Sequence, residues 1–224
     1  MRTRPTASAT LAAAALLLTA CGGGPLDDKT GPEVAAAGAD ALEAAGSFHL
    51  SGTISRDGQE SEVDLQLQGE DALGTLSLEG TEIQLLNVGG EVYVQAAPEF
   101  WSSFGIPAEA AQQADGQWVI VPAEAAAGFQ EFTVAGFVEE LRNPDEEIKN
   151  EVTTTEVDGD DAVVVELEDG STLTVLNDDP AYPVELTNDE GSSSGKVTIS
   201  RIGEEADITA PSAPVDLAEL VGGA

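Results

Sequence analysis

One cysteine, one histidine and one methionine occur in 224 residues. With Cys21 alone, no disulfide can form within the chain, and a zinc site of the Cys/His type lacks ligands. Any Ser/His/Asp or Cys/His constellation would have to be built on His49. That residue alternates with Phe48 and Leu50, which predicts a solvated strand histidine on the outward face. Aromatic residues are scarce, with six Phe, two Trp and two Tyr. A core must therefore come from aliphatic and small side chains. Basic residues number only eight against 42 acids, a net charge of −34. Such a surface repels nucleic acid and anionic headgroups, which excludes both as electrostatic partners. The acids are spread along the chain and not blocked into a tail, as on a solvated acidic surface of a folded domain. With 42 of them, chance carboxylate pairs are too plentiful to mark a glycosidase. No long hydrophobic run is present. The apolar stretch centred on Leu11 to Leu18 is about ten residues, where a spanning helix needs roughly 20.

What the first residues do contain is ordered. Arg2 and Arg4 precede that apolar stretch, and Leu18-Thr19-Ala20-Cys21 ends it. A basic start, a short apolar region and small residues before a cut site are the parts of a secretory signal. The last four residues resemble the lipobox of bacterial lipoproteins, which makes Cys21 the expected lipidation site. Two or three acyl chains at ~0.8 kcal/mol per buried methylene hold a protein stably, where one is marginal. Residues 1–20 are thus expected to be a removable signal peptide. Residues 21–31 read as a flexible tether (CGGGPLDDKTG) and 32–224 as a single domain. Removal of residues 1–20 leaves six basic against 42 acidic residues, a charge of −36. The 204 remaining residues suffice for one domain with a real core.

Pro32 to Ala45 reads as a helix stopped by Gly46. From Ser47 the period switches to two. Ser47–Ile54, Val63–Leu67, Thr75–Leu78, Glu82–Leu85 and Val92–Val94 alternate apolar and polar residues between Gly-rich turns. The Arg56-Asp57-Gly58-Gln59 turn carries a hairpin signal. Residues 98–104 and 107–114 suggest short helices, 117–121 a strand, and 133–142 an amphipathic helix ended by Asn143-Pro144. A second block of strands follows at 151–157, 162–167, 172–176, 183–187 and 196–202, with a short helix from Asp216. Ten or eleven antiparallel strands cannot stay flat. The expected fold is α+β: a strongly curved antiparallel sheet, a half-barrel, with helices packed on its concave face.

Gly90-Glu91-Val92-Tyr93-Val94, then Pro98, Phe100 and Trp101, then Gly116-Gln117-Trp118-Val119 with Val121-Pro122, resembles the actinobacterial lipoproteins of the LppX/LprG group. Ser47 to Gly52, Tyr182-Pro183 and Asp207 to Pro211 fit the same pattern, so the resemblance runs from about Glu33 to Leu220. It implies a LolA-like lipoprotein-carrier fold. It also implies a ligand, a lipid or lipidated glycan, held by its acyl chains in a cavity between sheet and helices and carried or transferred. The protein would be an extracytoplasmic lipoprotein on the cell membrane, anchored through acylated Cys21. A membrane transporter or envelope protein would be its partner class. The alternative is a non-enzymatic sensor or protein-interaction module of the same fold, involved in envelope regulation.

Candidate cavity residues are Leu76, Leu78, Ile83, Leu85 and Phe137, with Phe100, Trp101 and Phe104 as a dense aromatic cluster. That cluster is either core packing or the gate of a cavity. Tyr93 and Trp118 add polar tips for a headgroup or a buried hydrogen bond. No catalytic or metal residue and no cofactor is expected. The acidic turns at Asp158–Asp161 and Asn177–Asp179 lack the full spacing of a calcium loop and read as hairpin turns.

Overall fold

The computed structural model describes residues 23–56, 59–78, 80–130, 132–188 and 193–222. Cys21, the signal region and the tip of the Arg56–Gln59 turn lie outside these residues, and the side chain of Leu78 is not among those described.

Helix α1 (Gly31–Ala45) begins with a reciprocal cap: the Glu33 carboxylate accepts from the Thr30 backbone N–H at 2.9 Å and from its hydroxyl at 2.8 Å. It ends at Gly46, whose φ of 72° is the left-handed conformation that glycine adopts without strain. Five strands follow: β1 (Ser47–Arg56), β2 (Gln59–Gln68), β3 (Asp71–Leu78), β4 (Thr81–Val88) and β5 (Glu91–Ala96). The insert holds α2 (Pro98–Ser103), α3 (Ala108–Gln113), β6 (Val119–Ile120), α4 (Ala123–Gln130) and α5 (Val134–Arg142). Then come β7 (Ile148–Val157), β8 (Asp160–Leu167), β9 (Thr172–Leu176), β10 (Pro183–Asn188) and β11 (Ser193–Ser200). The chain closes with β12 (Val215–Asp216) and α6 (Leu217–Gly222).

Among the described residues, twelve strands form one sheet in the order β12-β6-β5-β4-β3-β2-β1-β11-β10-β9-β8-β7. Each strand block is a meander. The pairing of β1 with β11 joins the two blocks, with Leu50 opposite Ile199 and Gly52 opposite Val197. One face carries a continuous apolar row: Ile199, Leu50, Leu65, Leu85, Val94 and Val119 lie side by side across successive strands, with Gly74 between Leu65 and Leu85. The sheet is curved and not closed into a barrel. Two glycines show how tightly it coils: a Cβ at Gly52 would lie 2.0 Å from the Lys196 carbonyl oxygen, and one at Gly74 2.0 Å from that of Asp64. All strand neighbours are antiparallel except β12, which pairs parallel to β6 at the edge.

Antiparallel alternation gives the sheet two distinct ends. The β1–β2, β3–β4, β8–β9 and β10–β11 connections share one end. The β2–β3, β4–β5 and β7–β8 connections share the other, together with the 177–182 link between β9 and β10.

Several features differ from the sequence expectations. Helix α4 is an alanine-rich segment that periodicity did not mark, and its Ala126 is buried in the core. The expected 117–121 strand shrinks to the two residues of β6. The tether expected to be slack is docked. Leu26 is only 1% exposed and belongs to the core cluster. Its N–H donates to Asn177 Oδ1 at 2.9 Å, and Asn177 Nδ2 donates to Asp27 Oδ1 at 2.6 Å. The glycines flanking Cys21 suggest flexibility, but one leucine in an otherwise polar segment is enough to bind it down.

His49 also departs from expectation. It does point away from the helices, but it is buried. Residues 201–214 join β11 to β12, which have six strands between them, so this segment has to cross the sheet. Its Gly203 N–H donates to the Ser47 carbonyl, Glu204 O accepts from Gln66 Nε2, and Ala206 N–H donates to Gln68 Oε1. Gln66 and Gln68 alternate with core-facing Leu65 and Leu67, so the crossing runs over the outer face and covers part of it.

Replacement of Leu26 by Ala is expected to destabilise the protein by about 2–5 kcal/mol, read as a lower urea midpoint at unchanged slope. A slack tether would leave the midpoint where it was. The backbone and hydroxyl of Thr30 hold the Glu33 carboxyl below its ordinary range. A group depressed in the folded state stabilises above its unfolded pKa and loses that contribution as the pH falls through the folded value. Wild type should therefore exceed Glu33→Gln in stability at neutral pH, and the difference should vanish once the pH has fallen through the lowered folded-state value of the Glu33 carboxyl.

Candidate ligand cavity

The two halves of the concave face are filled differently. Over the half built from β2 to β6, Phe100, Trp101, Ala111, Ala114 and Ala126 pack into the same core as Ile83, Leu85 and Val94. The Phe100 and Trp101 rings meet edge to face at 5.2 Å. Over the other half lies α1, whose buried face is Gly31, Val34, Ala35, Gly38, Ala39 and Leu42. Small side chains there leave space beneath the helix.

That space is a cavity of about 450 Å³. Ala35 of α1 and Phe137 and Leu141 of α5 form its roof, and Ile148, Val165, Leu173, Leu186 and Val197 form its floor. Phe137 is fixed by a tilted ring contact with buried Phe48 at 5.1 Å. Gly195 offers no side chain, which widens the cavity beside β1. Ile54, Asp169, Ser171, Thr172, Thr187, Asn188 and Ser194 surround its outer end. All of these belong to the end of the sheet that carries the β8–β9 and β10–β11 turns. Asp169 is engaged with Ser171, accepting from its N–H at 2.9 Å and its hydroxyl at 2.8 Å, and the Thr172 and Thr187 hydroxyls bond at 2.6 Å. Among the described residues the charged side chains in the lining are the carboxylates Glu140 and Asp169. The volume falls in the range of about 300–1,000 Å³ typical of small-ligand sites, and apolar walls with a few polar groups at the mouth suit an amphiphile.

Of the expected cavity residues, only Phe137 lines this space. Leu76, Ile83 and Leu85 are buried in the filled half, as are Phe100 and Trp101. Phe104 is 68% exposed, with its ring 4.9 Å from that of Phe100. Trp118 is half-buried beside β6, and its carbonyl accepts from Val215 N–H. Tyr93 faces away from the helices, since it alternates with core-facing Val92 and Val94. Burial, and then the Glu91 carboxylate that accepts its hydroxyl at 2.9 Å, push its pKa up. Leu78 lies outside the described side chains. The residues missed by sequence reasoning are those of the second strand block. Their signal was the run of small residues on the buried side of α1, which marks incomplete filling above β8 to β11.

One constellation on the outer face has the composition of a hydrolytic triad. His49 Nε2 lies 3.0 Å from Asp64 Oδ1, and His49 Nδ1 lies 3.4 Å from Ser200 Oγ. Ser200 on β11 is paired directly with His49 on β1, and Asp64 on β2 is the diagonal neighbour of His49. Ser200 ends the regular strand β11, and its hydroxyl is held at the long limit of a hydrogen bond to the ring. The trio is a cross-strand polar row. Among the described residues no three His, Cys, Asp or Glu side chains are grouped to hold a metal ion, and no helix is long and apolar enough to cross a membrane.

No family model matches the sequence, and no curated protein matches it. Solved structures do. LprF from Mycobacterium bovis superposes with a TM-score of 0.50 at 15% identity, covering 83% of this chain and 100% of that one. The lipoprotein LppX from Mycobacterium tuberculosis gives 0.51 at 13% identity, covering 80% and 99%. The chain thus has the fold expected from its resemblance to the LppX/LprG group.

If the His49 row is structural, wild type and Ser200→Ala will hydrolyse an activated ester at the same background rate. A loss on substitution would make it catalytic.

Proposed function

We propose that this protein is a membrane-anchored extracytoplasmic lipoprotein that binds an acyl chain in the cavity beneath α1 and α5 and carries it. The observation that carries this reading is the unequal filling of the concave face: aromatic and alanine-rich helices close one half, while the other keeps about 450 Å³ between apolar walls. Transfer of a chain into that space is driven by ~0.8 kcal/mol per buried methylene, so even ten methylenes outweigh a modest ordering cost. The fold shared with LppX, a lipoprotein by description, supports it. So does the Leu18-Thr19-Ala20-Cys21 sequence, which supplies the lipidation site. Anchoring through acyl chains also suits the charge, because an acidic surface gains nothing from anionic headgroups.

Among the described residues no basic side chain lines the cavity, and Glu140 and Asp169 stand at its edge. An anionic headgroup at the mouth would meet these two carboxylates. An uncharged, hydroxyl-bearing head finds acceptor lone pairs on the hydroxyls of Ser171 and Ser194.

The soluble chain, with residues 1–20 removed and Cys21 unacylated, is expected to release acyl lipid into organic solvent, detected by mass spectrometry. It should also bind a fluorescent fatty acid. Leu186→Trp, which fills the floor of the cavity, should weaken that binding at least tenfold while the protein stays folded. Equal binding by the variant, with no co-purified lipid, would place the function elsewhere.

A further inference from the structure

The docked segment Gly24–Asp27 and the cavity mouth lie at opposite ends of the sheet. Gly24 touches the Asn177 side chain, since a Cβ on it would come within 2.2 Å, and the bonds of Asn177 to Leu26 and Asp27 fix the chain there. Asn177 follows β9, and its N–H donates to the Asp161 carbonyl near the start of β8. The cavity begins at the other ends of these strands, at Thr172 on β9 and Leu167 on β8. Thr172 to Asn177 is five steps, roughly 17 Å at about 3.3 Å per residue, and Asp161 to Leu167 about 20 Å. Cys21 precedes Gly24 by three residues, which reach at most about 11 Å. The free length is shorter than the distance from the docking point to the mouth.

From this geometry we propose that docking of Leu26 makes the anchor a short, directional one. The 177–182 and β7–β8 end of the sheet faces the anchoring bilayer, and the cavity mouth is presented to the opposite side. The proposal rests on the anchored, acyl-binding reading above and deepens it by naming the side of exchange. Ligand passes to or from an acceptor that approaches from beyond the membrane surface. Exchange with the anchoring bilayer itself requires Leu26 to leave the core. Leu26 is thus a catch on the direction of transfer as well as a packing residue.

The protein carries its own reporters. Its two tryptophans, Trp101 and Trp118, flank the mouth end of the sheet: α2 follows the end of β5, and Trp118 precedes Val119, which pairs with Val94. Cys21, the only cysteine, allows specific coupling of the soluble chain to a maleimide lipid in phosphatidylcholine vesicles with a dansyl-headgroup lipid as energy acceptor. Transfer from tryptophan to dansyl should be weak for the natural sequence. It should rise severalfold when about fifteen Gly/Ser residues are inserted after Gly22, which leaves the folded body untouched. Leu26→Ser should raise it as well. Equal transfer with and without the insertion overturns the proposal. In the same vesicles, bound fluorescent fatty acid should escape to the anchoring bilayer more slowly from the natural sequence than from the long-tether variant. Failure of the soluble chain to bind the fatty acid would defeat the acyl-binding reading, while the tryptophan signal would still report the stance of the protein.

Discussion

Everything in this structure depends on the pairing of β1 with β11. These strands are about 140 residues apart in the chain, and without their ladder the two meanders would be separate small sheets, each with two open edges. With it, a single apolar face runs across successive strands from Ile199 to Val119. The pairing is also one of the places where the strands approach too closely for a side chain. A side chain at Gly52 would collide with the partner backbone, so the composition of β1 is set by its partner and not by its own propensity. One consequence is local: Gly195 on β11 leaves the sheet without a side chain beside Ile54, and the cavity extends there.

The same long-range pairing decides the outer face. Because β11 lies in the middle of the sheet and β12 at its edge, the segment between them must travel over six strands. It takes the side opposite the helices and satisfies its backbone on Ser47, Gln66 and Gln68. A histidine that would be wet on an ordinary two-layer sheet is thereby buried, and it satisfies its nitrogens with Asp64 and Ser200. Burial of polar groups here follows from topology, with hydrogen bonds supplied by neighbouring strands.

Local pattern carried far in this chain. The first helix, its glycine stop, the amphipathic α5 and nearly every strand follow from periods of 3.6 and 2 with turn residues between them. Helix α4 and the parallel β12 did not follow, because an alanine-rich segment and a two-residue strand have no period to read. The aromatic cluster at Phe100–Phe104 was legible as a cluster but not as a location. It fills one half of the concave face, and a cavity needs the half that lacks such residues.

The sequence by itself determined the elements, the one-sided apolar character of the strands, the acidic surface and the placement of a single thiol behind a signal-like leader. These are properties of neighbouring residues, and the chemistry of neighbours is written in order. Tertiary structure alone decided which strand lies beside which, and therefore where the helices fall short of filling the sheet. It also decided that Leu26 belongs to the core and that the cavity opens at the far end from it. Those outcomes depend on contacts such as Leu26 with Asn177, about 150 positions apart, whose geometry no local period encodes.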